Sequence, residues 1–244
     1  MKISANSVLP ARREAIELVT SDGLALVGEL AMPRDSDPAA TIICLHPLPT
    51  HGGMMDSHVF RKMSWRLPAL ANVAVLRFNT RGTTSAAGTS EGTFDESRGE
   101  GLDLQAAVSW AVARGLTNLW LVGWSFGTDV VLRHGDIDPV RGAILLSPPL
   151  RFTSVEELKR WNGSPRKVTA LVPENDDFLP PEPARAAFSV VPDLEVVEVV
   201  EAGHLWVGEK FVARVLGEIV QRVNPAAYPL PAEWDGPMEK WSDL

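Results

Sequence analysis

A chain of 244 residues with a single cysteine, Cys44, cannot be stapled by an internal disulfide. Cys44 lies in the apolar run Thr41-Ile-Ile-Cys-Leu, the setting of a small buried hydrophobe rather than of a nucleophile or metal ligand. Long apolar runs are missing too. Leu119 to Val122 and Ala143 to Leu146 stop far short of the ~20 residues a membrane-spanning helix needs. The opening MKISANSVLPARREA has no apolar core of the kind signal peptides carry, so a cytoplasmic location is expected. Positive charge is in deficit: 23 Lys and Arg face 31 Asp and Glu, a net charge of −8. A field of that sign, with no basic cluster to offset it, argues against nucleic acid or an anionic membrane as partner. The chain has no G-x-x-x-x-G-K-[ST], no G-x-G-x-x-G and no C-x-x-C, so nothing supports nucleotide binding.

What is present is ordinary globular composition, 45% hydrophobic, enough to build one well-buried core. Glu14 to Thr20 and Leu24 to Met32 flank Ser21-Asp22-Gly23 and read as an opening β-hairpin. Short β-branched or apolar strands follow at Thr41 to Leu45, Val73 to Phe78, Leu119 to Val122, Gly142 to Leu146, Val168 to Val172 and Leu194 to Val200. Helical patterns separate them: a helix capped by Ser57 and reaching about Ala69, then Glu96 to Ala113, Phe126 to His134, Ala184 to Phe188 and Lys210 to Val223. Strand–helix alternation with apolar strands predicts an α/β fold, its mostly parallel sheet of about eight strands covered by helices on both faces. No linker divides the chain. It reads as one domain over 1–244, with a core of about 14–223 and a tail from 224 to 244 rich in Pro and Trp. Trp234 and Trp241 carry enough apolar area that this tail is expected to dock on the core.

One segment carries chemistry. Gly123-Trp-Ser-Phe-Gly127 places G-x-S-x-G between an apolar strand and a helical run, the context of a nucleophile elbow. Ser125 would then sit on a strained strand-to-helix turn. Gly123 and Gly127 lack the Cβ atoms that would strike the neighbouring helix and strand, and the Phe126 N–H would point where an oxyanion forms. The same pattern recurs at Gly88-Thr-Ser-Glu-Gly92, but with no strand before it and no helix directly after, so Ser90 reads as a loop residue.

A serine needs a base, and the base an orienting acid. After an elbow of this kind the chain order is Ser, Asp/Glu, His. Of the five histidines only His134 and His204 follow Ser125. His134 ends the elbow's own helix and reads as a C-terminal helix cation. His204, in the loop after the last strand, is the base candidate. The acid should lie in Pro173-Glu-Asn-Asp-Asp-Phe-Leu-Pro-Pro, where Glu174, Asp176 and Asp177 compete; Asp176 is favoured and Asp177 is the runner-up. Their spacing is not that of a Ca²⁺ loop. His46 and His51 lack a third partner at ligand spacing, so neither a metal nor any other cofactor is expected. In His46-Pro-Leu-Pro-Thr the two prolines have no N–H, which leaves Leu48 as the second oxyanion donor.

These residues resemble the α/β-hydrolase superfamily, and more narrowly its small lidless bacterial members related to dienelactone hydrolases. HPLPTHGGMMDSHVF (46–60) is similar to that group's HPHP-x-x-GG-x-M segment. RFNTRGTTSAAGTSEGTFDESRGEGLDLQAAVSW (77–110) resembles its R-F-N-x-R-G…S-x-G-x-F-D…G-E…D stretch. The resemblance covers roughly residues 15–220 and implies an α/β-hydrolase fold. It favours Asp176, because the group's acid lies four residues before a proline, here Pro180. Two departures matter. Dienelactone hydrolases proper use a cysteine nucleophile where this chain has Ser125, so their substrate does not transfer, and Leu48 replaces the group's second histidine.

Lidded relatives insert a cap after the strand that here is Gly142 to Leu146. The stretch from Pro148 to Lys167 has room for a helix such as Ser154 to Trp161 and for no full cap domain. An open site of this kind favours short-acyl or small soluble esters, with Trp124, Trp161, Phe178 and Trp206 as candidate apolar walls or, alternatively, plain core. The expectation is a serine hydrolase of esters acting through an acyl-enzyme. A thioesterase or aminopeptidase-like amidase with the same triad is the alternative, and a non-catalytic binding protein is the alternative of another class. The residues carry no signal for oligomeric state.

Overall fold

The computed structural model describes residues 1–240, so Trp241 lies outside the described residues. The chain opens with β1 (Arg12–Val19) and β2 (Ala25–Met32), an antiparallel hairpin. Its turn is closed by Thr20, whose hydroxyl donates to Asp22 and accepts from the Leu24 N–H. There follow β3 (Ala40–Leu45), α1 (His58–Ala71), β4 (Val73–Phe78) and a two-residue ribbon of β5 (Thr84–Ser85) and β6 (Gly88–Thr89). Next come α2 (Glu100–Ala113), β7 (Leu119–Trp124), α3 (Phe126–His134), β8 (Val140–Leu146) and α4 (Val155–Lys159). The described chain closes its core with β9 (Lys167–Asn175), α5 (Pro181–Phe188), β10 (Leu194–Gly203) and α6 (Glu209–Val223).

Eight strands form one sheet in the order β1-β2-β4-β3-β7-β8-β9-β10. From β4 across to β10 every pairing is parallel; β2 alone runs against its neighbours. Alternate side chains of each central strand enter opposite cores. Ile42 and Cys44 of β3 pack with Val59, Phe60 and Met63 of α1 and with Val212 and Val215 of α6. Ile43 and Leu45 pack on the other face with Leu104 of α2 and Val130 of α3. Burial on both faces is why these strands read as continuous apolar runs. It also pushes the Cys44 thiol up to about 12, well outside reactive range. This is the α/β-hydrolase architecture, and between β8 and β9 it carries only the short α4 in place of a cap.

Several boundaries differ from the sequence reading. Helix α2 starts at Glu100 rather than Glu96, because Glu96 and Ser97 take positive φ (52° and 68°) and the Asp95 carboxylate accepts from the Gly99 N–H. Ser57 stands at the head of α1, but its hydroxyl accepts from the Met54 N–H instead of capping the helix. Helix α4 is shorter than the expected 154–161; Ser154 and Glu157 close a reciprocal capping box on it. Strands β9 and β10 run past their expected ends to Asn175 and Gly203, which pair with each other after a bulge.

The N-terminal segment and the tail pair along the outside of the α1/α6 face. Ile3 N–H donates to Ala232 at 2.9 Å and Trp234 N–H to Met1 at 2.8 Å, with further bridges at Lys2–Glu233 and Val8–Glu239. Asn224 ties the start of the tail to the Ala71 carbonyl. Among the described residues no helix is long and apolar enough to cross a membrane.

Candidate active site

Ser125 joins β7 directly to α3 and has φ 51° and ψ −118°, a strained conformation for a residue with a Cβ. The two flanking glycines make the turn possible. A Cβ on Gly123 would lie 2.5 Å from the Gly127 carbonyl oxygen, and one on Gly127 would lie 1.9 Å from that of Leu45. Neither site admits any other residue without the backbone shifting. Ser125 is half-buried, and its N–H is fixed on the Leu146 carbonyl at 2.9 Å.

The base and acid candidates arrive together because of strand register. Gly203 pairs with Asn175, so the next residues, His204 and Asp176, leave the ends of adjacent parallel strands side by side. His204 Nε2 lies 2.9 Å from Ser125 Oγ, and Nδ1 lies 3.0 and 3.1 Å from the two Asp176 oxygens. An ionised Asp176 can only accept, so Nδ1 carries the proton and Nε2 faces Ser125 as an acceptor. Burial alone would push the Asp176 carboxyl up. Hydrogen bonds from His204 and from the Phe178 and Leu179 N–H groups outweigh it and hold the group below the usual carboxylate range. The His204 main chain is held as well: its carbonyl accepts from Trp124 Nε1 at 3.2 Å and from Ser147 Oγ at 3.0 Å.

Strand order reverses between β3 and β7, the switch point where crevices open at the carboxyl end of an α/β sheet. The loop after β3 therefore meets the head of α3, a contact so close that Gly127 is packed against Leu45 and His46 carbonyls. Among the described residues the N–H groups of Leu48 and Phe126 donate to no protein acceptor. The loop is pinned by His46, which is buried. Its Nδ1–H donates to the Pro47 carbonyl at 2.7 Å while Nε2 accepts from the Thr80 N–H at 3.0 Å. Burial depresses this imidazole to about 4, so it is neutral, with both nitrogens used. A His46/His51 metal pair has no free His46 nitrogen to work with.

Not every expected residue reaches the site. Trp124 is 2% exposed and sits in the core, edge-on to His58 and Phe60, on the opposite face of β7 from the elbow's helix. Trp206 is fully buried in the same core, and Trp161 is buried with its N–H on the Leu132 carbonyl. These three are not walls: strand alternation and loop anchoring turn their rings inward. Phe178 does lie at the mouth, 62% exposed, its ring centroid 4.5 Å from that of His204. Asp177 is exposed, and Glu174 is turned to the Glu201 N–H. Burial pushes the His134 pKa down, against its expected part as a helix cation, and the ring packs against Gly101 and donates to the Ser97 carbonyl. Ser90 is buried, donating to the Asn79 carbonyl and accepting from the Val27 N–H.

Sequence reasoning missed an aromatic cluster beside the elbow. Phe94, Phe126 and Phe152 meet edge-to-face with centroids 5.2 to 6.1 Å apart, drawn from the loop after β6, the head of α3 and the loop after β8. Buried Asp129 fixes the last of these loops by accepting from the Phe152 N–H and the Thr153 hydroxyl. The signal was weak, because the three phenylalanines share no periodicity and converge only through topology. The 77–110 motif has a scaffolding part to play. Arg77 is buried on Glu29 and Asp56, and Arg81 grips Asp22 and Asp103.

No family model matches the chain, and no curated protein does. Solved structures are similar across nearly its full length. An α/β serine hydrolase without a lid from Xanthomonas campestris is 25% identical, with 93% of this chain and all of that one covered at a TM-score of 0.70. An α/β serine hydrolase homologue from Coxiella burnetii is 22% identical, covering 85% of this chain and 96% of that one at 0.72. An esterase from Pyrococcus furiosus is 20% identical, covering 87% and 93% at 0.69. The fold is that of the α/β-hydrolase superfamily in its lidless form.

Proposed function

We propose that this protein is a serine hydrolase of small ester substrates, acting from one α/β-hydrolase domain through an acyl-enzyme. The observation that carries the proposal is the unbroken chain from Ser125 Oγ to His204 Nε2 (2.9 Å) and from His204 Nδ1 to Asp176 (3.0 Å). In this reading Ser125 attacks the ester carbonyl as His204 takes its proton. Asp176 stays ionised and stabilises the imidazolium, and the Phe126 and Leu48 N–H groups receive the developing oxyanion. His204 then passes the proton to the leaving alkoxide, and water, deprotonated by His204, releases the acid. The names of the structural neighbours, serine hydrolases and esterases, support hydrolase chemistry. Phe178 beside His204, the Phe94/Phe152 cluster beside the elbow and the lone short α4 between β8 and β9 favour a compact apolar acyl group on a soluble ester.

The test is labelling with a fluorophosphonate, followed by mass spectrometry of the adduct. A single phosphonate on Ser125, abolished by Ser125→Ala, is the expected result. Loss of the nucleophile should also lower kcat on a short-chain ester by on the order of 10⁶ with the fold intact. A folded protein that takes no label, or takes it on Ser90, would overturn the proposal.

A further inference from the structure

A cleft lies away from Ser125, on the face where α1, the first half of α6 and the tail meet. It encloses about 410 Å³, a size within the range of small-molecule sites. Its walls are apolar: Leu70 from α1, Leu216 and Gly217 from α6, and Tyr228, Leu230 and Ile3 from the paired tail and N-terminus. Its charged rim has a definite sign. Lys2, Arg66, Lys210 and Arg214 line it against only Glu209 and Glu218. Both glutamates are shared between two cations each, Glu209 by Lys62 and Arg66, and Glu218 by Arg214 and Arg222, while Lys210 pairs with Glu201 outside the cleft and Lys2 has no carboxylate partner among the described residues. In a chain of net charge −8 this is a local reversal.

Arg66 is the most buried of these cations. Its side chain is 2% exposed; one terminal nitrogen bonds Glu209 and the other bonds the Ser4 carbonyl, while its Nε has no partner among the described residues. Arg66 is thus a fixed positive charge in the wall of the cleft.

We propose that this cleft is a second binding site, separate from the catalytic one, for a small amphipathic carboxylate. The aliphatic or aryl body would lie on Leu70, Leu216 and Tyr228, and the carboxylate would meet the Arg66, Lys210 and Arg214 rim. Apolar burial supplies most of the affinity and the excess of cations selects the sign. The site does not depend on the hydrolase reading.

The chain has one tyrosine, and it is Tyr228, so fluorotyrosine labelling gives a single ¹⁹F resonance inside the cleft. Octanoate should shift that resonance saturably, and octyltrimethylammonium should bind at least about tenfold more weakly. Gly217→Leu should abolish the octanoate response, because a Cβ there would already sit 3.6 Å from the Tyr228 ring and a larger side chain fills the space. Lys210→Gln combined with Arg214→Gln should weaken octanoate about tenfold while leaving fluorophosphonate labelling of Ser125 unchanged. No saturable shift, equal response to the cation, or undiminished binding by the Gly217→Leu protein would each overturn the proposal. Thermal melts of the variants separate loss of the site from loss of the fold.

Discussion

Trp124 donates its indole N–H to the main-chain carbonyl of His204 at 3.2 Å. The residue one before the candidate nucleophile thus holds the backbone of the candidate base, from the opposite face of the sheet. Ser147, at the end of the neighbouring strand, supplies the second hydrogen bond to the same oxygen at 3.0 Å. Trp124→Phe keeps the ring packing on Phe60 and loses the donor; Ser147→Ala loses the other. Each should lower stability by about 1 kcal/mol. In a double-mutant cycle on kcat/KM the pair should lose more than the product of the single effects, because only the double variant leaves the carbonyl with neither donor. Additive losses would mean that the two bonds act independently of His204 placement.

Asp176 and Asp177 are adjacent in sequence and opposite in environment. Asp176 is buried and accepts from His204 and two backbone N–H groups, whereas Asp177 is exposed. Asp176→Asn should lower kcat by on the order of 10⁴, since the amide no longer enforces the tautomer with Nδ1 protonated. Asp177→Asn should stay within about threefold of the parent, a surface change. Steady-state kinetics on one ester decide between them, and the reverse ranking would move the acid by one residue.

The architecture was legible because its signals are local. Strand Thr41 to Leu45 is apolar throughout, since both faces are covered, and the glycines at 123 and 127 answer to clashes of 2.5 and 1.9 Å that no other residue avoids. The His204–Asp176 juxtaposition was only partly legible: composition named the loops, but the Gly203–Asn175 register that makes them neighbours is a property of the sheet. The tryptophans misled for a related reason. Trp124 and Trp206 lie within two residues of Ser125 and His204 in sequence, yet alternation along β7 and the turn after β10 send both rings into the α1/α6 core. Phe94 and Phe152, distant in sequence from the elbow, are the ones that meet Phe126 beside it.

His46 should make stability depend on pH. Its imidazole is neutral and fully bonded when folded, and burial depresses it to about 4 against an ordinary value of 6.5. Between those values the unfolded chain binds more protons than the folded one, so stability rises with pH there. The contribution, on the order of 3 kcal/mol, is complete above about pH 6.5 and is lost as pH falls toward 4. Urea unfolding at about pH 7 and about pH 5 should show a loss of roughly 2 kcal/mol traceable to this group. His46→Gln should be less stable at both values but should lose correspondingly less between them. An equal pH-dependent loss in the variant would mean that other groups carry the titration.

Phe178 contributes to the site in two separable ways. Its N–H holds Asp176 at 2.9 Å, while its ring, 62% exposed, lies tilted at 53° beside His204 with centroids 4.5 Å apart. An apolar surface left open next to the candidate base is where the proposed ester would lay its apolar part, and burying such a ring is worth about 1.5–3 kcal/mol. Phe178→Ala removes the ring and keeps the N–H. If the ring binds substrate, KM for an ester with an apolar acyl group should rise about tenfold while kcat changes by less than about threefold. The effect should shrink for an acetate ester, which reaches less of the ring. A fall in kcat at constant KM would instead make the ring a positioning element for His204.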